Sequence, residues 1–267
     1  MLLPLASHIE MHRATHSPLL SLYLTAGYPA IAATLPLLKL LDLNGADLIE
    51  LGMPFSDPIA DGQTIQHCSH VALNNGINVS SVLTMAAEAA PRLNAALILM
   101  GYFNPILKFG VEQFIAQASA AGIKGLIIPD LLPEDSIELR KQALTAGLSL
   151  IYLVSPNTSD ERIKMIDELT TSFIYAVSVT GVTGARSELA AQASHFLQRL
   201  RAQVKHPVLV GFGVSSGAEA ARLAQHADGV IVGSALLNCI TSAWEKKNHE
   251  QTIAVFVSEL RNGLGGR

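Results

Sequence analysis

Three stretches of the 267-residue chain carry side chains whose types and spacing could do chemistry. The first is ELGMPFSDPIADG, residues 50–62, where Glu50 interrupts the apolar run DLIEL. If that run is a strand and its alternation holds, Glu50 points inward. A carboxyl taken out of water holds its proton more tightly, titrates nearer neutrality and becomes suited to acid–base work. Asp57 and Asp61 follow on a loop whose two Pro and two Gly restrict or permit particular backbone shapes. Ordinary turn chemistry, in which an Asp bonds its own loop backbone, is the competing reading for both.

The second stretch is SVTGVTGAR, residues 178–186, with two Gly and three hydroxyl side chains. Such a loop can close over a ligand and exclude water; its composition equally fits a plain connection. The third combines GFGVSSG, residues 211–217, with Gly233-Ser234. Glycines let backbone N–H groups approach an anion, and a following helix N-terminus adds its dipole. The spacing matches neither GxGxxG nor GxxxxGK[ST], which disfavours a nucleotide and suits one monophosphate.

Other chemistries lack their parts. Of nine His, only His67 and His70 could share a helix face, a poor zinc site without a third ligand. No Lys interrupts an apolar strand run, as a Schiff-base lysine would; Lys108 and Lys124 fall at loop or strand starts. No Ser sits in a GxSxG elbow.

The elements that must position these residues follow from apolar periodicity. Short apolar runs near 19–25, 47–51, 95–100, 125–128, 148–154, 173–178, 207–211 and 229–233 read as strands. Helical patterns at 30–42, 111–121, 134–146, 160–169, 188–203 and 215–225 alternate with them, and 74–91 reads as an additional helix after the second strand. Eight strands each followed by helix, in ~250 residues, is the count for a (β/α)8 TIM barrel. An open doubly wound sheet is the rival. The barrel is favoured because no linker divides residues 1–267 and the last strand is as apolar as the central ones. An extra N-terminal helix is expected, and the Gly-rich 261–267 is expected to be a frayed tail. In a barrel, all three chemical stretches fall on the face where function resides, after the strands' C-terminal ends.

Composition narrows the class. The chain is 49% hydrophobic and 15% charged, against roughly 25% charged for soluble domains. Yet no apolar run approaches the ~20 residues of a membrane span. The start, MLLPLASHIEMHR, has no positive residue ahead of its apolar stretch, so a secretory signal is not expected. Apolar runs of this length suit strands covered on both faces. A net charge of −4 disfavours nucleic acid as a partner. Cys68 and Cys239 form neither a disulfide framework nor a CxxC pair, as expected of a cytoplasmic protein.

At the same positions the sequence resembles the tryptophan synthase alpha chain family. IELGMPFSDPIADGQTIQ is similar to that family's signature nearly residue for residue. LTAGYP, MGYFNPILKFG, LIIPDLLPED, YAVSVTGVTG, GFGVSS and VGSA follow in the family's order from about residue 19 to 235. The resemblance implies a (β/α)8 barrel that cleaves indole-3-glycerol phosphate to indole and glyceraldehyde 3-phosphate. It implies a retro-aldol reaction with no cofactor in this chain. Indole would pass to a separate pyridoxal-phosphate beta chain in an αββα complex. By the same resemblance, Glu50 and Asp61 are the catalytic acids. Tyr175, Thr183, Phe212, Leu22 and Met100 line the substrate site, with Leu22 standing where many members carry Phe. Gly184, Gly213, Gly233 and Ser234 hold phosphate, and no residue holds a metal.

The chemistry suits these residue types. The bond beside an indole ring breaks only after C3 is protonated, which makes the ring an electron sink. Glu50 would supply that proton and later take one from the glycerol hydroxyl; Asp61 would accept the ring N–H as positive charge develops there. The chain departs from the commonest family pattern at Gln63, Leu132 and Val179-Thr180. These departures bear on loop stiffness and signalling to the beta chain rather than on a catalytic group. A stand-alone lyase, a mainly non-catalytic activator of the beta chain and another phosphate-binding barrel are the alternatives.

Overall fold

All seven residues of strand β1 (Leu19–Thr25) and all five of β2 (Leu48–Gly52) are buried. A strand buried on both faces needs apolar cover on each side, which is why these runs hardly alternate in polarity. The computed structural model describes residues 2–14, 18–177, 186–211 and 213–266. Within them β3 (Ala96–Met100), β4 (Gly125–Ile127), β5 (Ser149–Ile151), β6 (Leu153–Val154), β7 (Ile174–Ala176), β8 (Val208–Val210) and β9 (Gly229–Val232) complete one parallel sheet, ordered β5-β4-β3-β2-β1-β9-β8-β7-β6.

β5 and β6 are two halves of one extended segment, separated only at Tyr152. The first half pairs with β4, the second with β7, so the sheet closes on itself. The nine strands therefore make eight staves, the TIM barrel expected from the sequence.

Alternation sorts the side chains. Leu19, Leu48, Ala96, Ile98, Ile127, Ile151, Phe173, Tyr175, Leu209 and Ile231 share an interior cluster. Leu20, Leu22, Leu24, Ile49, Leu51, Leu97 and Leu99 belong to a second cluster, shared with buried residues of the surrounding helices. Helix α1 (Pro4–Arg13), the expected N-terminal helix, sends Leu5 and Ile9 into the interior cluster.

Twelve α-helices lie among the described residues. After β2 come two, α3 (Gln63–Asn74) and α4 (Val79–Ala89), where the sequence pattern suggested one at 74–91. The break is local chemistry. Gly76 adopts φ +88°, and the Asn78 side chain accepts from the Ser81 N–H while Ser81 Oγ accepts from the Asn78 N–H. That reciprocal pair caps a new helix. The other helices are α2 (Thr34–Leu43), α5 (Phe103–Phe109), α6 (Val111–Ala120), α7 (Ile137–Thr145), α8 (Asp160–Leu169), α9 (Arg186–Arg201), α10 (Gly217–Ala224), α11 (Ser234–Ala243) and α12 (His249–Gly263).

Residues 261–264 of the expected frayed tail are packed in the fold instead. α12 runs through Gly263, and Arg261 and Leu264 are buried. Arg261 Nη1 donates to Asp47 Oδ2 at 2.8 Å and Nη2 donates to the Pro18 carbonyl at 2.8 Å. Gly263 serves packing: a Cβ there would strike the Gly217 backbone at the start of α10. No helix among the described residues is long and apolar enough to cross a membrane.

Candidate active site

Glu50 occupies the centre of β2, in register with Tyr23 on β1 and Ile98 on β3. Strand parity turns it inward between Leu48 and Gly52, and its side chain has no solvent exposure. The Ser21 hydroxyl donates to Glu50 Oε1 at 2.8 Å, whereas Oε2 is buried with no hydrogen-bond partner among the described residues. Burial raises this carboxyl to about 7, with the Ser21 bond pulling the other way. An acid that titrates there exchanges its proton readily at neutral pH.

Asp61 closes the loop that leaves β2. Its N–H donates to the Pro58 carbonyl at 3.0 Å, and its own carbonyl accepts from Gln66 Nε2 at 2.8 Å. This turn, and Gly62 as the residue before α3, fix where the carboxyl sits. Burial lifts the Asp61 carboxyl to about 6, countered by a hydrogen bond from Tyr102. The Tyr102 oxygen also accepts the Ala60 N–H at 3.0 Å. Tyr102, just beyond β3, thereby ties the loop to the neighbouring strand, and Phe55 from the same loop lies against its ring at 5.3 Å between centroids. Asp57 is different: it is exposed and accepts from the side chain of its neighbour, Ser56 Oγ, at 2.5 Å.

Tyr175 comes from β7 across the barrel. Its phenol stays firmly protonated, first through burial and then through the charges of Glu50, Asp61 and Tyr23. Those interactions place four titratable groups in one region of the interior. Gly211 accommodates the Tyr175 ring and Gly52 the Tyr23 ring; a Cβ at either glycine would overlap the phenol. Met100, at the end of β3, is half-buried against the interior cluster.

Leu22 does not line this site. It is buried in the outer cluster with Leu20 and Leu24, while Ser21, bonded to Glu50, and Tyr23, in register with Glu50, take the other strand parity. The expectation was displaced by one residue, and on a strand one residue changes the face. Tyr23 is the aromatic that meets the acids: burial, then Asp61, and more weakly Glu50 push its phenol far upward.

Gly233 and Ser234 stand where β9 passes into α11, with Gly233 the residue before the helix and Ser234 its first. The first N–H groups of a helix lack intrahelical partners and favour an anion. Gly213 has φ +66°, which favours glycine. Thr183, Gly184 and Phe212 lie outside the described residues. Among those described, no three His, Cys, Asp or Glu side chains are grouped to hold a metal ion. His67 and His70 are exposed.

Sequence reasoning missed Ser21, Tyr23 and Tyr102 as parts of the site. Inward parity, set by counting from Glu50 through the strand register, would have found the first two. Tyr102 stood inside a family-like motif without any signal of its partner.

A (β/α)8 barrel that gathers two carboxyls of raised pKa among buried phenols, one within β2 and one on the loop that follows it, defines an acid–base enzyme. The model of the tryptophan synthase alpha chain family matches residues 10–264, so the chain belongs to that family, a family of lyases. It is 42% identical over 242 residues to the tryptophan synthase alpha chain of Dehalococcoides mccartyi, covering 91% of this chain and 93% of that one. The crystal structure of tryptophan synthase subunit alpha from Legionella pneumophila superposes with a TM-score of 0.91 at 39% identity, covering 99% of each chain. The tryptophan synthase of Saccharomyces cerevisiae matches at 43% identity over 90% of this chain but only 34% of its own. The family's reaction is cleavage of indole-3-glycerol phosphate to indole and glyceraldehyde 3-phosphate.

Proposed function

We propose that Glu50 is the proton donor to indole C3 and Asp61 the acceptor for the ring N–H in this retro-aldol cleavage. The observation that carries the assignment is the Glu50 carboxyl itself: fully buried, raised to about 7, with one oxygen left unpartnered toward the interior. Protonating C3 breaks the Glu50 O–H bond and forms C3–H. The ring nitrogen then carries positive charge, which the Asp61 carboxylate stabilises. The glycerol C–C bond breaks toward the ring, the adjacent hydroxyl becomes the aldehyde of glyceraldehyde 3-phosphate, and its proton returns to the Glu50 carboxylate. The electron pair of that broken bond restores the aromatic ring, and C3 keeps the hydrogen it received, giving indole.

Tyr175, Tyr23 and Met100 form the wall that receives the indole. Gly213, Gly233 and Ser234 offer backbone donors to the phosphate, joined by Thr183, Gly184 and Phe212 in the roles the family resemblance implies. No step needs a cofactor bound to this chain.

The reading includes a handover. Indole passes to a pyridoxal-phosphate beta chain, and the pair assembles as αββα. Exposed apolar side chains support a docking face there: Ile59 on the loop after β2, Leu107 in α5 after β3, and Leu132 on the loop after β4. The Saccharomyces cerevisiae match adds support, because a chain named tryptophan synthase carries an alpha-like region as about a third of its length.

The test is product analysis with the purified chain, alone and then with beta chain. Indole and glyceraldehyde 3-phosphate released in equal amounts by the chain alone support a lyase. Co-elution with beta chain on sizing, with a faster rate, supports the handover. Stimulation of beta chain without any indole formation would favour the activator reading instead.

A further inference from the structure

Ser21 is a polar residue in the mostly apolar strand LLSLYLT, and it faces the barrel interior with no solvent exposure. A buried hydroxyl is costly unless bonded, and this one spends its donor on Glu50 Oε1 at 2.8 Å. It is the only hydrogen-bond donor to that carboxyl among the described residues. Glu50 Oε2 has none. The two oxygens are therefore not equivalent. The carbonyl oxygen of a neutral carboxyl is a better acceptor than its O–H oxygen, so while Ser21 donates to Oε1 the neutral acid favours its proton on Oε2.

We infer that Ser21 is a positioning residue that assigns the acidic proton of Glu50 to Oε2, and so fixes which oxygen is presented to the substrate. The inference rests on Glu50 being the acid of the proposed reaction. A second effect follows from the same contact. A hydroxyl donates more strongly to a carboxylate than to a neutral acid. As the O–H bond at Oε2 breaks and its electron pair stays on the carboxyl, the Ser21 bond tightens. The contact is then worth more in the transition state than before it, the condition for raising kcat rather than lowering KM. The other titratable groups facing this region are Tyr23 on β1, Asp61 on the loop after β2 and Tyr175 on β7. None of them hydrogen-bonds Glu50, so among the described residues Ser21 is the donor that favours its carboxylate.

The experiment compares Ser21→Ala, Ser21→Thr and Glu50→Gln for indole release, and follows the Glu50 carboxyl by carbon-13 NMR across pH in the full chain. Glu50→Gln identifies the resonance. Ser21→Ala is expected to lower kcat about tenfold, leave KM within about twofold, and move the Glu50 titration upward by about one unit. Ser21→Thr, which keeps the hydroxyl, is expected to restore both. If Ser21→Ala does not fold, Ser21→Cys carries the test, with a weak donor of similar shape and an upward shift of the same sign. An unmoved Glu50 titration with unchanged kcat in the variant, beside an inactive Glu50→Gln, overturns the role of Ser21 and leaves the proposed reaction standing. An active Glu50→Gln overturns the reaction as assigned, and the inference with it.

Discussion

The Tyr102 hydroxyl oxygen accepts the N–H of Ala60 at 3.0 Å, and the same hydroxyl favours the charged form of the next residue's carboxyl, Asp61. One phenol thus holds the backbone of the loop that delivers the second acid and tunes that acid. Tyr102→Phe keeps the ring that Phe55 packs on and removes the hydroxyl that serves Ala60 and Asp61. Without that donor, burial lifts the Asp61 carboxyl further, so less of it is charged at pH 7. kcat/KM is expected to fall roughly tenfold, as loss of a hydrogen bond to a charged group implies. Steady-state kinetics of the variant check this; unchanged kcat/KM would remove Tyr102 from the account.

The two carboxyls predict a pH profile. Asp61, raised to about 6, must be ionised to accept the ring N–H, so kcat/KM rises through that value. Glu50, raised to about 7, must be protonated to donate, so kcat/KM falls above it. The expected profile is a bell with its top between the two. Indole release measured from pH 5 to 9 reads it directly, and a rate still climbing at pH 9 would contradict the assignment of Glu50 as acid.

The same burial has a cost in stability. A carboxyl whose folded pKa exceeds its unfolded value stabilises the fold fully below the unfolded pKa, and that contribution is lost as pH rises through the folded pKa. For Glu50 the window runs from 4.5 to about 7. Glu50→Gln is therefore expected to be more stable than the natural chain at pH 8, by up to roughly 3 kcal/mol on the conversion of pKa to free energy. The advantage should shrink to nothing near pH 4. Urea unfolding of both proteins at the two pH values tests the sign.

Arg261 and Asp47 predict stability without catalysis. Asp47 accepts from Arg261 Nη1 and from the Leu20 N–H, each at 2.8 Å, and lies 3.2 Å from His12 Nδ1. The cluster joins α12, β1 and α1 at the end of the barrel opposite the site. Removing one partner of a buried pair strands the other charge. Arg261→Ala is expected to lose about 3–5 kcal/mol of unfolding free energy. Activity per folded molecule should stay unchanged below the melting temperature. A drop in kcat without a drop in stability would contradict this placement.

How much of this was legible in the residues depends on whether the signal was local. Glu50 could be read because an acid inside DLIEL is an anomaly that strand alternation resolves. The eight staves could be read because each is a short apolar run closed by turn residues. Leu22 shows the limit of pattern alone: LLSLYLT is buried throughout, so hydropathy does not mark its inward face, and the register with Glu50 was needed. Arg261 was hidden for a different reason. Its partner is 214 residues away, and RNGLGGR reads as loose until Gly217 is seen against Gly263. Tyr102 was hidden because its partner, Asp61, is a contact made only by neighbouring strands brought together in the barrel.

The central claim is that Glu50 and Asp61 perform the cleavage. The most direct measurement is single-turnover release of indole from indole-3-glycerol phosphate by Glu50→Gln and Asp61→Asn, each confirmed folded by circular dichroism. Each proton transfer is worth ~10²–10⁴-fold, so both variants are predicted to release indole at least about a hundredfold more slowly than the natural chain, with substrate still bound. Near-natural indole release by either variant would contradict the account.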